Sequence, residues 1–257
     1  HHPDVRRMLL TMKAHTEAMR ALSLMVWAAF DKARRHPDPA ERKRNQVLVD
    51  LLTPVVKGWC TEQGVEVASL GVQVHGGMGF IEDSGAAQYL RDARITTIYE
   101  GTTGIQANDL VGRKVALDKG AAARGVIADM RSLEAPLERL GGAFRAARAN
   151  YVQAVDRLEA ATQWLVQTYP QDPNSAVAVA VPYLKLFGTV ACGWLLARSA
   201  VIACARLEDP QNDRDFLTAK IVTARFYAEH ILPQAGGHAD TVLNGSASVL
   251  ALDEALF

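Results

Sequence analysis

Gly71-Val72-Gln73-Val74-His75-Gly76-Gly77-Met78-Gly79-Phe80 is the one glycine-dense stretch of the sequence, and it interrupts residues that otherwise read as helix on both sides. Glycine weakens a helix, so a cluster there marks either a plain turn or a close approach of backbone to a ligand. Upstream, Pro3 and Asp4 open a helix, and Val5, Met8, Leu9, Met12, Met19, Leu22 and Met25 recur on one face to about Arg35. A methionine stripe of this kind is core, and His15 on it reads as a hydrogen-bonded core histidine. His36-Pro37-Asp38-Pro39 forces a turn, because each proline pushes its predecessor out of the α region. A second helix then runs from about Ala40 through Val47, Leu51, Val55, Trp59 and Val67 to about Leu70, with a kink expected at Pro54.

Downstream of the glycines, Ile81-Glu82-Asp83 leads into a short helix over 86–92, then to Ile98-Tyr99-Glu100-Gly101-Thr102-Thr103-Gly104-Ile105-Gln106 and a helix over 103–114. Past Gly120 the pattern predicts helices over 122–140, 141–168, 175–207 and 213–232, separated by turns at 169–174 and 209–212, with a short helix from Ser246. Period-2 runs of β-branched and aromatic residues are nearly absent, so the fold class is all-α.

Lys plus Arg and Asp plus Glu each number 28, which removes a whole-chain electrostatic case for binding nucleic acid or an anionic membrane. Cys60, Cys192 and Cys204 lack CxxC spacing, and an odd count suits a reducing, cytoplasmic compartment, with the thiols as small buried hydrophobes. In the apolar run 176–205, Lys185 and Arg198 leave twelve residues between charges, too few for a bilayer span. His75, His230 and His238 are too scattered to bind a metal, and none is expected. His1-His2-Pro3 opens directly into helical pattern without an initiator Met, which suggests a piece of a longer chain.

Glu100 has two readings. A carboxylate just before a helix can cap it, and from the residues alone that reading prevails. At a glycine-opened break beside Tyr99 it can instead serve as a base whose pKa is raised by apolar neighbours. The glycine cluster is equally open, since backbone N–H groups at a helix start can hold phosphate, while no GxGxxG follows a strand.

Three strings in order, Gln73-Val74-His75-Gly76-Gly77-Met78-Gly79-Phe80, Leu90-Arg91-Asp92-Ala93-Arg94 and Ile98-Tyr99-Glu100-Gly101-Thr102, resemble the acyl-CoA dehydrogenases. The resemblance covers about residues 4–115, and residues after about 120 resemble the helical extension of longer members, among them the 3-(methylthio)propanoyl-CoA dehydrogenases. It implies a carboxy-terminal helical-bundle domain at 1–118, lacking its first helix, and an extension domain at 119–257. It also implies FAD as cofactor and Glu100 as the base that removes the pro-R α-proton of an acyl-CoA while the β-hydrogen leaves as hydride to flavin N5. Tyr99 and Gly101 then line the acyl pocket. Gln73, Val74, His75, Gly76 and Gly77 match a stretch that contacts the FAD of a neighbouring subunit, and Thr102 and Gly104 match positions near the flavin of the same subunit. Shorter members commonly carry Gln where Gly104 stands, so one side-chain contact differs here. Arg91 and Asp92 are expected to form a structural pair. The resemblance further implies a homo-oligomer, electron-transfer flavoprotein as acceptor, and amino-terminal and middle domains without which this stretch is inactive. A DNA-associated relative of the same fold, or a helical assembly module, are the rival readings.

Overall fold

Pro3 occupies the first turn of α1 (Pro3–Arg35), where its missing N–H costs nothing, and the His2 Nδ1 accepts from the Asp4 N–H at 3.3 Å. Asp38 caps α2 (Pro39–Val74), accepting from the Ala40 N–H at 2.8 Å, and the turn between them folds α2 back along α1. The computed structural model describes residues 2–256; His1 and Phe257, the outer ends of the two expected segments, lie outside the described residues. The order continues with α3 (Gly77–Phe80), α4 (Ala86–Ile95), α5 (Thr103–Asn108), a π-helical segment (Asp109–Ala116), α6 (Ala121–Arg131) and α7 (Glu134–Arg139). It then runs through α8 (Arg145–Thr168), α9 (Pro173–Ala178), α10 (Ala180–Arg206), α11 (Arg214–His230), α12 (Gln234–Asn244) and α13 (Ser246–Val249). No strand occurs among the described residues, as the all-α reading expects.

Several expected boundaries move, each for a local reason. α2 stays one element through Pro54 and ends four residues past Leu70, so Gly71, Gln73 and Val74 are helical. The helix expected over 175–207 breaks at Val179, because Pro182 cannot donate to the Ala178 carbonyl and its ring crowds that oxygen. Pro136 likewise splits the helix expected over 122–140 at Ser132-Leu133. Gly236-Gly237-His238 does not interrupt a helix but lies inside α12, whose Ala235, Ala239 and Val242 are buried on one face and outweigh two weak helix formers.

The core is one continuous cluster. Ala14, Ala18 and Leu22 of α1 meet Leu51, Leu52, Val55 and Trp59 of α2, and both pack onto Leu184, Phe187 and Val190 of α10. α10 also touches α5, α8, α11 and α12, which makes it the centre of the molecule. It is long and apolar enough to cross a membrane, but 78% of its most apolar window is buried inside the protein, as befits a core helix. Several polar groups in this core are paired. Tyr227 Oη donates to the Thr189 carbonyl at 3.0 Å, Tyr151 Oη to the Met130 carbonyl at 2.7 Å, and Trp59 Nε1 to Thr189 Oγ1 at 3.3 Å. Of the cysteines only Cys192 is fully buried. Cys60 and Cys204 are partly buried, and burial pushes the Cys60 thiol up to about 12.

His15 departs from expectation. Its ring is buried between Trp59 and Tyr227, with centroids 6.0 and 5.9 Å away, and among the described residues its Nδ1 finds no hydrogen-bond partner. Desolvation lowers its pKa to about 4 from 6.5. The unfolded chain therefore binds a proton that the folded chain refuses, so stability is unaffected above pH 6.5 and falls as the pH drops towards 4. This group alone is expected to remove about 2 kcal/mol at pH 5. Urea titrations at pH 7 and pH 5 check it: His15→Phe should flatten that slope, and an unchanged slope would assign the acid sensitivity elsewhere.

Candidate active site

The two sequence stretches that carry the candidate residues sit at opposite ends of α4. At one end, α2 delivers Gln73 and Val74 in its last turn, with Gln73 exposed and Val74 half-buried. His75 caps the helix, its Nδ1 2.8 Å from the Gly71 carbonyl oxygen. Gly76 has φ 61°, a left-handed conformation that only glycine adopts freely, and Gly77 starts α3. The glycines of this cluster have distinct reasons. A side chain on Gly79 would lie 2.2 Å from the Val72 carbonyl oxygen, so internal packing demands its smallness. A side chain on Gly77 would meet nothing within 4 Å, so no internal contact explains that residue. Its exposed, unobstructed backbone suits an approaching ligand. Met78, Phe80 and Ile81 leave apolar surface beside it, Phe80 being 83% exposed.

Beneath this end, Met12, Gly64, Val67, Ala68, Gly71, His75 and Tyr89 line a mainly apolar cleft of about 430 Å³ between α1, α2 and α4. Arg91 does not pair with Asp92. It makes a bidentate contact of 2.8 Å per oxygen with Glu82, which ties α4 to the turn that precedes it, and both side chains are exposed.

At the other end α4 stops at Ile95, and the chain turns through Thr96 to Thr102 before α5 begins. Tyr99 is half exposed and Glu100 is exposed. Glu100 has φ 52° and Gly101 has φ 93°, two left-handed residues in succession, the first without glycine's freedom. The capping question is thereby answered. Thr102, not Glu100, is the N-cap of α5, its Oγ1 accepting from the Ile105 N–H at 3.3 Å. Among the described residues the Glu100 carboxylate makes no hydrogen bond or ion pair, so it is free to act on a ligand. Among the described residues no apolar cover is built around it. Gly101 packs under Gln106, whose Nε2 would lie 2.9 Å from an added Cβ, while a Cβ on half-buried Gly104 would meet only Thr102 Oγ1, in ordinary contact at 3.8 Å.

Three residues not singled out from the sequence support this turn from α2 and α5. Lys57 Nζ donates to the Thr96 carbonyl at 2.8 Å, Glu62 Oε1 accepts from Thr103 Oγ1 at 2.5 Å, and Gln106 covers Gly101. The only signal for the first two was polarity at positions where α2 otherwise turns apolar residues inward.

The structure thus gathers Tyr99, Glu100, Gly101, Thr102 and Gly104 at one place and Gln73 to Gly77 at another. Glu62 and Gln73 are eleven residues apart on α2, which puts the two places about 16 Å or more apart along the helix. One copy of the chain does not assemble them into a single site.

Comparison with known proteins agrees with the sequence resemblance. Residues 1–115 match the family model described as acyl-CoA dehydrogenase, C-terminal domain, and residues 124–253 match the one described as acetyl-CoA dehydrogenase C-terminal like. The chain is 46% identical over 249 residues to 3-methylmercaptopropionyl-CoA dehydrogenase of Ruegeria pomeroyi, covering 97% of this chain and 42% of that protein. It is 36% identical over 266 residues to the broad-specificity linear acyl-CoA dehydrogenase of Mycobacterium tuberculosis, covering 100% of this chain and 43% of the relative. The chain therefore spans less than half the length of these relatives.

Two solved structures share the fold. Caenorhabditis elegans ACDH-11 in complex with C11-CoA superposes with TM-score 0.66 at 19% identity, over 92% of this chain and 39% of that one. The acyl-CoA dehydrogenase of Bacillus anthracis complexed with FAD superposes with TM-score 0.67 at 16% identity, over 95% and 44%. With two adjoining family matches and a relative at 46% identity across nearly all of its length, the chain belongs to the acyl-CoA dehydrogenase family and carries that family's carboxy-terminal helical region.

Proposed function

We propose that this chain is the carboxy-terminal part of a flavin-dependent acyl-CoA dehydrogenase and that Glu100 is its base. One observation carries the reading: an exposed carboxylate in a left-handed turn, which among the described residues caps no helix and makes no hydrogen bond or ion pair, inside a family of acyl-CoA dehydrogenases. A carboxylate so held is positioned for an outside group. In the proposed reaction Glu100 takes the α-proton of an acyl thioester, and the electrons of that C–H bond become the π bond of a 2-enoyl-CoA as the β-hydrogen departs. FAD supplies the acceptor for the β-hydrogen and its electron pair. Tyr99 and Gly101 flank the carboxylate and would border the acyl chain.

The residues present suit FAD. Gly77 offers backbone with no internal reason for lacking a side chain, next to Gly76 held at φ 61°. Gln73, Val74, His75, Gly76 and Gly77 would hold one part of the cofactor, and Thr102 and Gly104 another. Their separation in one copy supports the expectation that the first set serves the cofactor of a second copy in a homo-oligomer. Residues 1–118 would form the bundle domain and 119–257 its extension, though both contribute to one core.

The relatives are more than twice as long as this chain, which supports further amino-terminal and middle domains in the parent and inactivity of this stretch alone. Electron-transfer flavoprotein is the proposed acceptor, and the three free cysteines support a cytoplasmic setting. Nothing in the matches favours a DNA-associated or assembly-only role. The test is acyl-CoA-dependent bleaching of the flavin absorbance in the full-length protein. Bleaching is expected; an FAD-loaded protein that no acyl-CoA bleaches would end the reading.

A further inference from the structure

In the turn carrying Glu100 a non-glycine residue and its neighbour are both left-handed, as they also are at Lys119-Gly120, and such a conformation persists only where the surroundings hold it. The hold comes from both of its ends. Lys57 Nζ donates to the Thr96 carbonyl at 2.8 Å, at the last turn of α4, and lies 5.5 Å from the centroid of the Tyr99 ring. Among the described residues no carboxylate lies within ion-pair distance of this ammonium group, so its partner is the turn itself. Five residues further along α2, Glu62 Oε1 accepts from the hydroxyl of buried Thr103 at 2.5 Å. The Thr103 N–H in turn donates to the Thr97 carbonyl at 3.1 Å, closing the turn on itself.

We propose that Lys57 and Glu62 are positioning residues, a two-point clamp from α2 that holds the ends of the 96–103 turn and so sets the placement of Glu100; this rests on Glu100 being the base. α2 is a continuous 36-residue helix, so it fixes the spacing between the two grips. Each grip is specific in chemistry. Lys57 must reach a carbonyl, which needs a donor on a long stem, and Glu62 must accept from a hydroxyl, which a carboxamide oxygen can also do. Loss of either leaves Glu100 chemically intact but free to leave its left-handed placement.

The test uses the full-length, FAD-loaded protein with Lys57→Met, Glu62→Ala and Glu62→Gln. The first two are expected to lower the rate constant of acyl-CoA-dependent flavin reduction on the order of 10- to 100-fold. The acyl-CoA dissociation constant and thermal midpoint should change little, and Glu62→Gln should keep most of the rate. Amide hydrogen exchange over residues 97–103 should quicken in Lys57→Met and Glu62→Ala but not in Glu62→Gln. The clamp is overturned if rate and exchange are unchanged, if Gln fails as badly as Ala, or if the loss follows a fall in thermal midpoint. Glu100→Gln is run alongside. If that variant keeps the wild-type rate, the base reading fails and exchange over 97–103 alone decides the clamp, quickened exchange supporting it and unchanged exchange overturning it.

Discussion

Replacing Glu100 by Gln in the full-length protein is expected to slow acyl-CoA-dependent flavin bleaching by about 10²- to 10⁴-fold, the range a positioned general base contributes. Gln matches Glu in size and the side chain is exposed, so FAD content and thermal midpoint should stay near wild type. Glu100→Gly separates the two properties of the position. It removes the carboxylate and also relieves φ 52°, so it should abolish bleaching while leaving the fold as stable or more so. Retention of a tenth or more of the wild-type rate in Glu100→Gln would move the base to another residue. A variant that loses its flavin would instead make residue 100 part of the cofactor site.

The largest expected effect on stability is at a glycine in the core. A side chain on Gly188 of α10 would lie 2.2 Å from Trp59 Cγ, 2.4 Å from Cδ1 and 2.7 Å from Cβ. Trp59 cannot swing away, since it is 1% exposed and its Nε1 is bonded to Thr189. α2 and α10 must therefore separate, and Gly188→Ala is expected to cost about 3 kcal/mol, at the upper end for overpacking. In a chain of this size that lowers the thermal midpoint by about 6–12 °C. Trp59→Leu in the Gly188→Ala background should recover part of the loss by making room, so the two changes should be strongly non-additive. Simple additivity would show that the contact between α2 and α10 does not set the spacing of this core.

Much of this was legible in the residues. The prolines, caps and apolar spacing of α1 and α2 give their existence and their starts, because a cap or a fixed φ acts within one turn of chain. Glycine behaviour was the least legible. Gly76, Gly77 and Gly79 look alike in the sequence, but one answers a left-handed φ, one an open face and one a carbonyl 2.2 Å away. No helix is predicted over 233–245, yet Gly236 and Gly237 lie in α12, because burial of Ala235, Ala239 and Val242 outweighs propensity. His15 reads as a paired core histidine, but among the described residues its Nδ1 has no partner, since what surrounds it comes from α2 and α11.

By itself the sequence determined the all-α class, the family and the identity of Glu100 as the candidate base, because periodicity and local strings need no knowledge of distant contacts. Only the tertiary structure decided that Glu100 finds no partner among the described residues, and that Lys57 and Glu62 reach the same turn from 39 and 41 residues away. Those relations depend on how α2, α4 and α5 pack in space, which no spacing along the chain encodes.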